Sequence, residues 1–187
     1  MSITRVDPLE PPYEPAVATQ LESMMPPGVP PIALFRTFVR NLPMAEAMRT
    51  WGGYELSKRL SLSMRQRELV IDRVTARCGC EYEWGVHLAF FGERVGLTSE
   101  QQRSITHGGP DDPCWPSEEA ALLRAVDELH DRADIADDTW SELASTLAPE
   151  QILDLLMLAG WYHAISYAAN ATRIPIEEGA PRFSDVA

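Results

Sequence analysis

The sequence has 187 residues, of which 45% are hydrophobic and 24% charged, a composition typical of one globular domain with its own buried core. Its formal net charge of −12 would repel a phosphate backbone or an anionic lipid surface, so we expect no nucleic-acid or membrane partner. We expect no apolar run to approach the length that is needed to span a bilayer. Three cysteines and the lack of a signal-peptide pattern predict a cytoplasmic protein with free thiols.

Residues 1–31 contain eight prolines, which fix φ and remove backbone donors, so at most one short helix is expected there, from Pro15 to about Met25. A disordered tail is the simplest alternative. Apolar residues at intervals favour instead an arm that docks on the body and could reach a neighbouring subunit. These residues are Leu9, Tyr13, Val17, Leu21, Met24 and Met25.

From residue 32 onward, apolar residues recur at three- and four-residue spacing, which predicts helices. The first is expected from Ile32 through Val39, and the second from Pro43 to a stop at Gly52-Gly53. Capping-box patterns at Ser63 and Thr98 predict helices that end near Cys78 and Thr106. Between them, a helix is expected from Cys80 through Val95, flanked by Gly79 and Gly96.

The second half of the chain begins with a loop at residues 107–116, where glycines and prolines disrupt any regular period. A helix capped by Ser117 should follow, then a shorter one starting at Asp137 or Asp138. The last helix opens with Pro149 and is apolar on nearly all sides, so it should be central or shared with a partner subunit. No segment shows strand-like alternation, and the predicted fold class is all-α.

One short segment, from Glu68 to His87, gathers a thiol, several carboxylates and an imidazole. Cys80, Glu83 and His87 fall at positions i, i+3 and i+7 of a predicted helix, which places their side chains on one face. They can therefore meet around one small ligand. In this arrangement His87 is one turn from Glu83 and can form a hydrogen bond with it that fixes the imidazole tautomer.

This segment resembles the active-site segment of the carboxymuconolactone decarboxylase and alkylhydroperoxidase-D-like (AhpD-like) family. That family carries a Glu, a Cys twelve residues later, and then a Cys at +3 and a His at +7. Glu68, Cys80 and His87 match the pattern, whereas Glu83 replaces the second cysteine and Tyr82 stands where the peroxidase branch often has His. The departure argues against disulfide chemistry between the two positions.

The resemblance implies an AhpD-like helical domain of about seven to eight helices over residues 32–179, between the arm (residues 1–31) and a short tail (residues 180–187). It also implies a homotrimer or homohexamer. We further predict a small-molecule substrate and no cofactor or metal. Within that domain, Glu68, Cys80, Glu83 and His87 are the predicted catalytic residues, and Tyr82 and His163 are predicted to contact substrate.

Three functions remain open at this point. Because a carboxylate replaces the redox cysteine, the first is acid-base chemistry on a small organic acid or lactone, with Glu83 and His87 moving protons and Glu68 in relay. The second is an AhpD-like thiol-dependent hydroperoxide reductase in which Cys80 attacks peroxide. The third is a non-catalytic oligomer that binds a small hydrophobic ligand.

The remaining candidates have structural alternatives. His163 is equally well explained as a satisfied core histidine, and Cys114 as an incidental loop residue. A disulfide between Cys78 and Cys80 would be strained by their spacing. Cys78, Cys80, Glu83 and His87 offer donors that suit zinc, but their spacing matches no common zinc module.

Overall fold

The structure, a computed structural model, describes residues 3–187 and contains only helices and loops in that part of the chain. The α-helices are α1 (Pro15–Met24), α2 (Ala33–Phe38), α3 (Leu42–Glu55), α4 (Met64–Arg77), α5 (Glu81–His87), α6 (Ser99–His107), α7 (Ser117–Arg132), α8 (Asp137–Thr146) and α9 (Pro149–Thr172). A π-helical segment (Leu88–Gly92) follows α5, and 3-10 turns lie at Val39–Asn41 and Phe183–Val186. The predicted all-α class is confirmed, with α1 in the arm and α2–α9 in the body.

Helix α4 lies at the centre of the body and packs against α5, α6, α7 and α9. Its residues from 67 to 75 are all buried, so the helix has no solvent-facing side over that length. Charged side chains in this stretch must therefore find partners inside the protein. Arg73 does so by pairing with Asp127 at 2.6 Å and by donating to the Ile105 carbonyl oxygen at 2.7 Å.

Several helix boundaries follow the sequence signals. The capping boxes at Ser63 and Thr98 are both formed, and Gly79, at φ +60°, ends α4 as expected. The predicted stop at Gly52-Gly53 is wrong, because α3 runs on to Glu55. Neither glycine takes a positive φ, so neither provides the left-handed turn that would end the helix.

Helix α9 is long and apolar enough to cross a membrane by length and composition alone, so the expectation that no segment reaches that length is wrong. Half of its most apolar window is buried in the protein, with Leu155 and Leu158 fully enclosed. Helix α9 therefore packs into the core along one side and is not enclosed on all sides. The exposed face carries Leu153, Met157 and Tyr167, and the predicted homotrimer or homohexamer stays a prediction.

The proline-rich arm packs on the body of the same chain. The Leu9 amide donates to the Arg36 carbonyl oxygen at 3.0 Å, and the Gln20 side chain donates to that of Ala45 at 3.0 Å. Leu21 is buried in the cluster that α2 forms with α5 and α9. These contacts place the arm over α2 and α3.

The C-terminal tail packs on α5. The ring of Phe183 lies 5.1 Å from that of Trp84, centroid to centroid, and its amide donates to Glu81 at 2.9 Å. A Cβ added at Gly85 would lie only 2.5 Å from the Pro181 carbonyl oxygen, so only glycine permits this approach. The tail and α5 therefore form one packed unit.

Candidate functional site

The turn between α4 and α5 brings two helices together at the site. After Gly79, Cys80 occupies the N-cap position of α5, and α5 packs back on α4. The imidazole of His87 consequently meets the carboxylate of Glu68, with 2.8 Å between Nδ1 and Oε2. Glu68, for which a relay role was predicted, is thus in direct contact with His87.

Both ring nitrogens of His87 are engaged. Nδ1 faces Glu68, so it carries the proton and donates, and Nε2 lies 3.0 Å from the Tyr162 hydroxyl, which donates to it. Burial alone would lower the pKa of His87, but the nearby carboxylates, with Glu68 first and Glu83 and Asp72 after it, together outweigh burial and raise the pKa. His87 is therefore a buried base whose protonated form is stabilised by the carboxylate of Glu68.

Glu68 is itself held by a cation. The Arg67 guanidinium donates from Nε to Glu68 Oε1 at 2.6 Å, while the other carboxylate oxygen serves His87. Arg67 also lies over the Phe91 ring, 5.0 Å from its centroid. Asp72, one turn along α4, is fully enclosed, and burial together with Glu68 raises its pKa well above the usual range.

Glu83 differs from the prediction in one respect. Its carboxylate lies 3.9 Å from His87 Nε2, beyond a hydrogen bond, because the Tyr162 hydroxyl occupies that nitrogen. Glu68, on the preceding helix, fixes the tautomer instead. Burial raises the pKa of Glu83 to about 7, which His87 only partly offsets, and one carboxylate oxygen has no hydrogen-bond partner among the described residues. Such a group can hold or release a proton near neutral pH.

Glu83 and His87 line a cavity of about 270 Å³. Tyr162 supplies the third buried polar group, and the exposed guanidinium of Arg49 lies on the rim. The other walls are mostly apolar and come from the arm, α2, α3, α5 and α9: Met24, Met25, Pro26, Ile32, Leu34, Phe35, Phe38, Met48, Leu56, Val86, Phe90, Phe91, Trp161 and Ile165. This is a small apolar chamber with an acid-base pair in its wall.

The predicted helix from Cys80 through Val95 is not continuous. After His87 the chain widens into the π-helical segment, which the residue pattern did not indicate. Such segments are frequent at functional sites, because the wider turn re-aims the following side chains. Here Phe90 and Phe91 both line the cavity, and Phe91 lies 5.5 Å from the His87 ring, centroid to centroid.

Cys80 lies next to this cavity in sequence but not on its wall. Its side chain is completely enclosed, and burial raises the pKa of the thiol to about 12, in spite of the amide of Glu83 at the helix N-terminus. Cys78, Cys80 and Cys114 are all free thiols, so no disulfide joins the first two. The helix terminus does not compensate for burial at Cys80.

Neither residue predicted to contact substrate lines the cavity. Tyr82 is buried in the core, where its hydroxyl accepts from the Leu34 amide at 3.0 Å and donates to Glu177 at 2.6 Å. His163 faces away from His87 and lies 3.1 Å from His130, ring nitrogen to ring nitrogen. The four-donor set of Cys78, Cys80, Glu83 and His87 is not gathered in residues 3–187 either.

Sequence reasoning missed three residues of the site: Tyr162, Arg67 and Asp72. Tyr162 had a usable signal, since a polar-tipped tyrosine in the most apolar helix needs a buried partner. Asp72 also had one, because it lies four residues after Glu68 and so on the same face of a helix with many apolar residues, whereas Arg67 directly precedes Glu68. The local sequence pattern did not indicate that Arg67 and Asp72 would be buried.

Part of the chain matches a known protein family. Residues 43–128 match the model of the carboxymuconolactone decarboxylase family. No curated protein matches the chain. The matched residues include Glu68, Cys80, Glu83 and His87 and exclude Tyr162 and the whole arm.

Three solved structures share the fold. A peroxidase-related protein from Silicibacter sp. TM1040 has a TM-score of 0.78 at 17% identity, covering 96% of this chain and 95% of that one. A cysteine-to-alanine variant of the debrominase Bmp8, in complex with 2,3,4-tribromopyrrole, has 0.77 at 14%, covering 94% and 93%. A protein of unknown function from Agrobacterium tumefaciens, suggested to be the antioxidant defence protein AhpD, has 0.67 at 20%, covering 75% and 95%.

Proposed function

Because residues 43–128 match the model of the carboxymuconolactone decarboxylase family, we propose that the chain is an enzyme that moves protons on a small organic acid or lactone, with His87 as base and Glu83 as acid. One observation carries the proposal. The imidazole and the carboxyl group share the wall of an apolar cavity, while the thiol of Cys80 is enclosed outside it. This arrangement suits proton transfer better than thiol chemistry.

The reaction uses atoms already in place. His87 Nε2 takes a proton from the carbon next to the substrate carbonyl, once the Tyr162 hydroxyl turns from Nε2 to the developing oxyanion. Glu68 stabilises the imidazolium through Nδ1, and the ion pair with Arg67 holds the Glu68 carboxylate in position. Glu83, at a pKa of about 7, then returns a proton to the substrate. One proton leaves and one enters, so the step needs no oxidant or reductant.

The cavity also supports a substrate class. Its volume of about 270 Å³ and its aromatic and aliphatic walls suit a compact, largely apolar molecule. Arg49 is the basic side chain among the lining residues, and a guanidinium pairs well with a carboxylate. We therefore place the acid group of the substrate at the rim by Arg49 and its reactive carbon beside His87. The bromopyrrole bound to Bmp8 is a comparably small ring.

The test is a turnover screen of lactones and unsaturated carboxylic acids with the wild type and matched variants. We expect His87→Gln and Glu83→Gln to lose turnover, because each removes a proton carrier without changing the size of the side chain greatly. Cys80→Ala should retain most of the activity. Ligand binding without turnover on any compound would instead support a non-catalytic binding protein.

A second experiment separates this proposal from a hydroperoxide reductase. Wild type, Cys80→Ala and Cys114→Ser are exposed briefly to hydroperoxide with a sulfenic-acid trap, and the adduct is located by mass spectrometry. We expect no fast adduct at Cys80, because the enclosed thiol is protonated at neutral pH. A fast adduct confined to Cys80 would overturn the acid-base assignment in favour of peroxidase chemistry.

A further inference from the structure

Three potential metal ligands meet on the opposite side of α9 from the cavity. Cys78 follows the last residue of α4, His130 lies near the end of α7, and His163 lies in the middle of α9. Helix α4 packs against both α7 and α9, so helix packing in the core fixes the backbone positions of the three residues. None of the three lines the cavity that contains His87.

The distances between the donor atoms are those of a metal site. His130 Nδ1 lies 3.1 Å from His163 Nε2 and 3.9 Å from Cys78 Sγ, and one donor atom from each residue lies within 4.8 Å of the other two. A tetrahedral zinc ion separates two nitrogen ligands by about 3.3 Å and a nitrogen from a sulfur by about 3.6 Å, given its usual bond lengths. The cluster therefore needs shifts of only a few tenths of an ångström at the two measured pairs.

The surroundings leave the donors available. Within residues 3–187 no carboxylate forms a hydrogen bond with either imidazole, in contrast to His87 and Glu68. The two rings stack at an angle of 22°, with their centroids 5.0 Å apart. All three residues are partly exposed, so an ion can reach them from solvent.

We propose that Cys78, His130 and His163 bind one Zn²⁺ or a similar late transition-metal dication through one sulfur and two nitrogens. Sulfur and imidazole donors favour this class over Mg²⁺ and Ca²⁺, which prefer oxygen. Three protein ligands leave the fourth position to water or to an incoming molecule. The site lies outside the cavity that contains His87, and its ligands come from α7, from α9 and from the residue that follows α4.

The experiment uses the full chain, stripped with a chelator and titrated with Co²⁺ and then Zn²⁺. Bound Co²⁺ should show a thiolate-to-cobalt charge-transfer band that saturates at one ion per chain, and Zn²⁺ should displace it. Cys78→Ser should abolish the band, and His130→Gln or His163→Gln should weaken binding at least about 100-fold, since loss of even a supporting residue costs 10- to 100-fold.

Matched controls keep the proposal falsifiable. Cys114→Ser and His107→Gln remove a thiol and an imidazole elsewhere and should leave the titration unchanged. Circular dichroism of each apo variant shows whether it is folded, and only folded variants are compared. The absence of a charge-transfer band in the folded wild type, or a band that survives Cys78→Ser, would overturn the proposal. A band lost in Cys80→Ala instead of Cys78→Ser would also overturn it.

Discussion

Two groups of polar residues that contain histidine lie on either side of α9. The first cluster is His87 with Glu68, Glu83 and Tyr162, and the second cluster is His130 with His163 and Cys78. Adjacent residues of α9 belong to different clusters. Tyr162 donates to His87, whereas His163 lies against His130. Consecutive residues of an α-helix point about 100° apart, so neighbours in sequence need not share a site. A Trp-Tyr-His sequence therefore cannot be assigned to one pocket as a unit.

The clusters differ in their carboxylates. His87 is 5% exposed and has Glu68 at hydrogen-bond distance, with Glu83 and Asp72 close enough to raise its pKa. His130 and His163 are partly exposed and have each other and the Cys78 thiol as neighbours. The same side chain is thus prepared for proton transfer by an anion in one place and left free to bind a cation in the other.

The largest expected effect is the difference in catalytic activity between variants of His87 and of His163. His87→Gln should lower kcat about 10²- to 10⁴-fold on a substrate found in the screen, because the proton acceptor is lost. His163→Gln is the matched control on α9 and should remain within about twofold of the wild type, since His163 lies outside the cavity. Steady-state kinetics provide the comparison. Equal losses in both variants would show that the two clusters are one functional unit.

Removing the carboxylate of Glu68 should lower the unfolding free energy of the protein. Glu68→Gln leaves Arg67 buried without its partner, at a cost of about 3–5 kcal/mol in unfolding free energy. It should also lower the pKa of His87, whose elevation depends on Glu68. Urea unfolding and an NMR titration of the imidazole measure the two effects. A variant with unchanged stability would contradict the assigned ion pairs.

The pH dependence of the unfolding free energy should reveal the raised pKa of Glu83 in the first cluster. Its pKa is raised from 4.5 to about 7 on folding, so its contribution to stability is fully present below pH 4.5 and is lost as pH rises through 7. The difference in unfolding free energy between wild type and Glu83→Gln should therefore change by roughly 3 kcal/mol over this window. Denaturation at several pH values tests it, and a pH-independent difference would refute the raised pKa.

The smallest effect concerns a single hydroxyl. Tyr162→Phe removes the hydrogen bond to His87 Nε2 and should lower the unfolding free energy by about 1 kcal/mol. The NMR signals of His87 should shift while those of His130 and His163 stay in place. Shifts at all three imidazoles would mean that the two clusters are coupled through α9.

Much of the fold was predictable because helix signals are local. The capping boxes at Ser63 and Thr98 and the start of α9 at Pro149 all follow from a few neighbouring residues. The stop at Gly52-Gly53 failed because glycine ends a helix only when the chain takes a left-handed turn there, and neither glycine has a positive φ. The break after His87 had no local signal, since a π-helical turn uses ordinary helix-forming residues.

The site was predictable only where its residues are close in sequence or match a family pattern. Glu68, Glu83 and His87 were identified in this way, but the bonding pattern among them was not. Glu68 rather than Glu83 contacts Nδ1 because α4 packs on α5, and Tyr162 comes from a helix 75 residues away. Burial of Cys80 likewise depends on packing, so the reactivity of the thiol could not be judged from its neighbours in sequence.

The contact between Gly85 and Pro181 affects how related sequences should be compared. A glycine at this position, between Glu83 and His87, would look like a requirement of the chemistry in an alignment. Its cause here is the path of the C-terminal tail, which leaves no room for a methyl group. A relative that carries alanine at this position must therefore route its tail differently, even if its catalytic residues are identical.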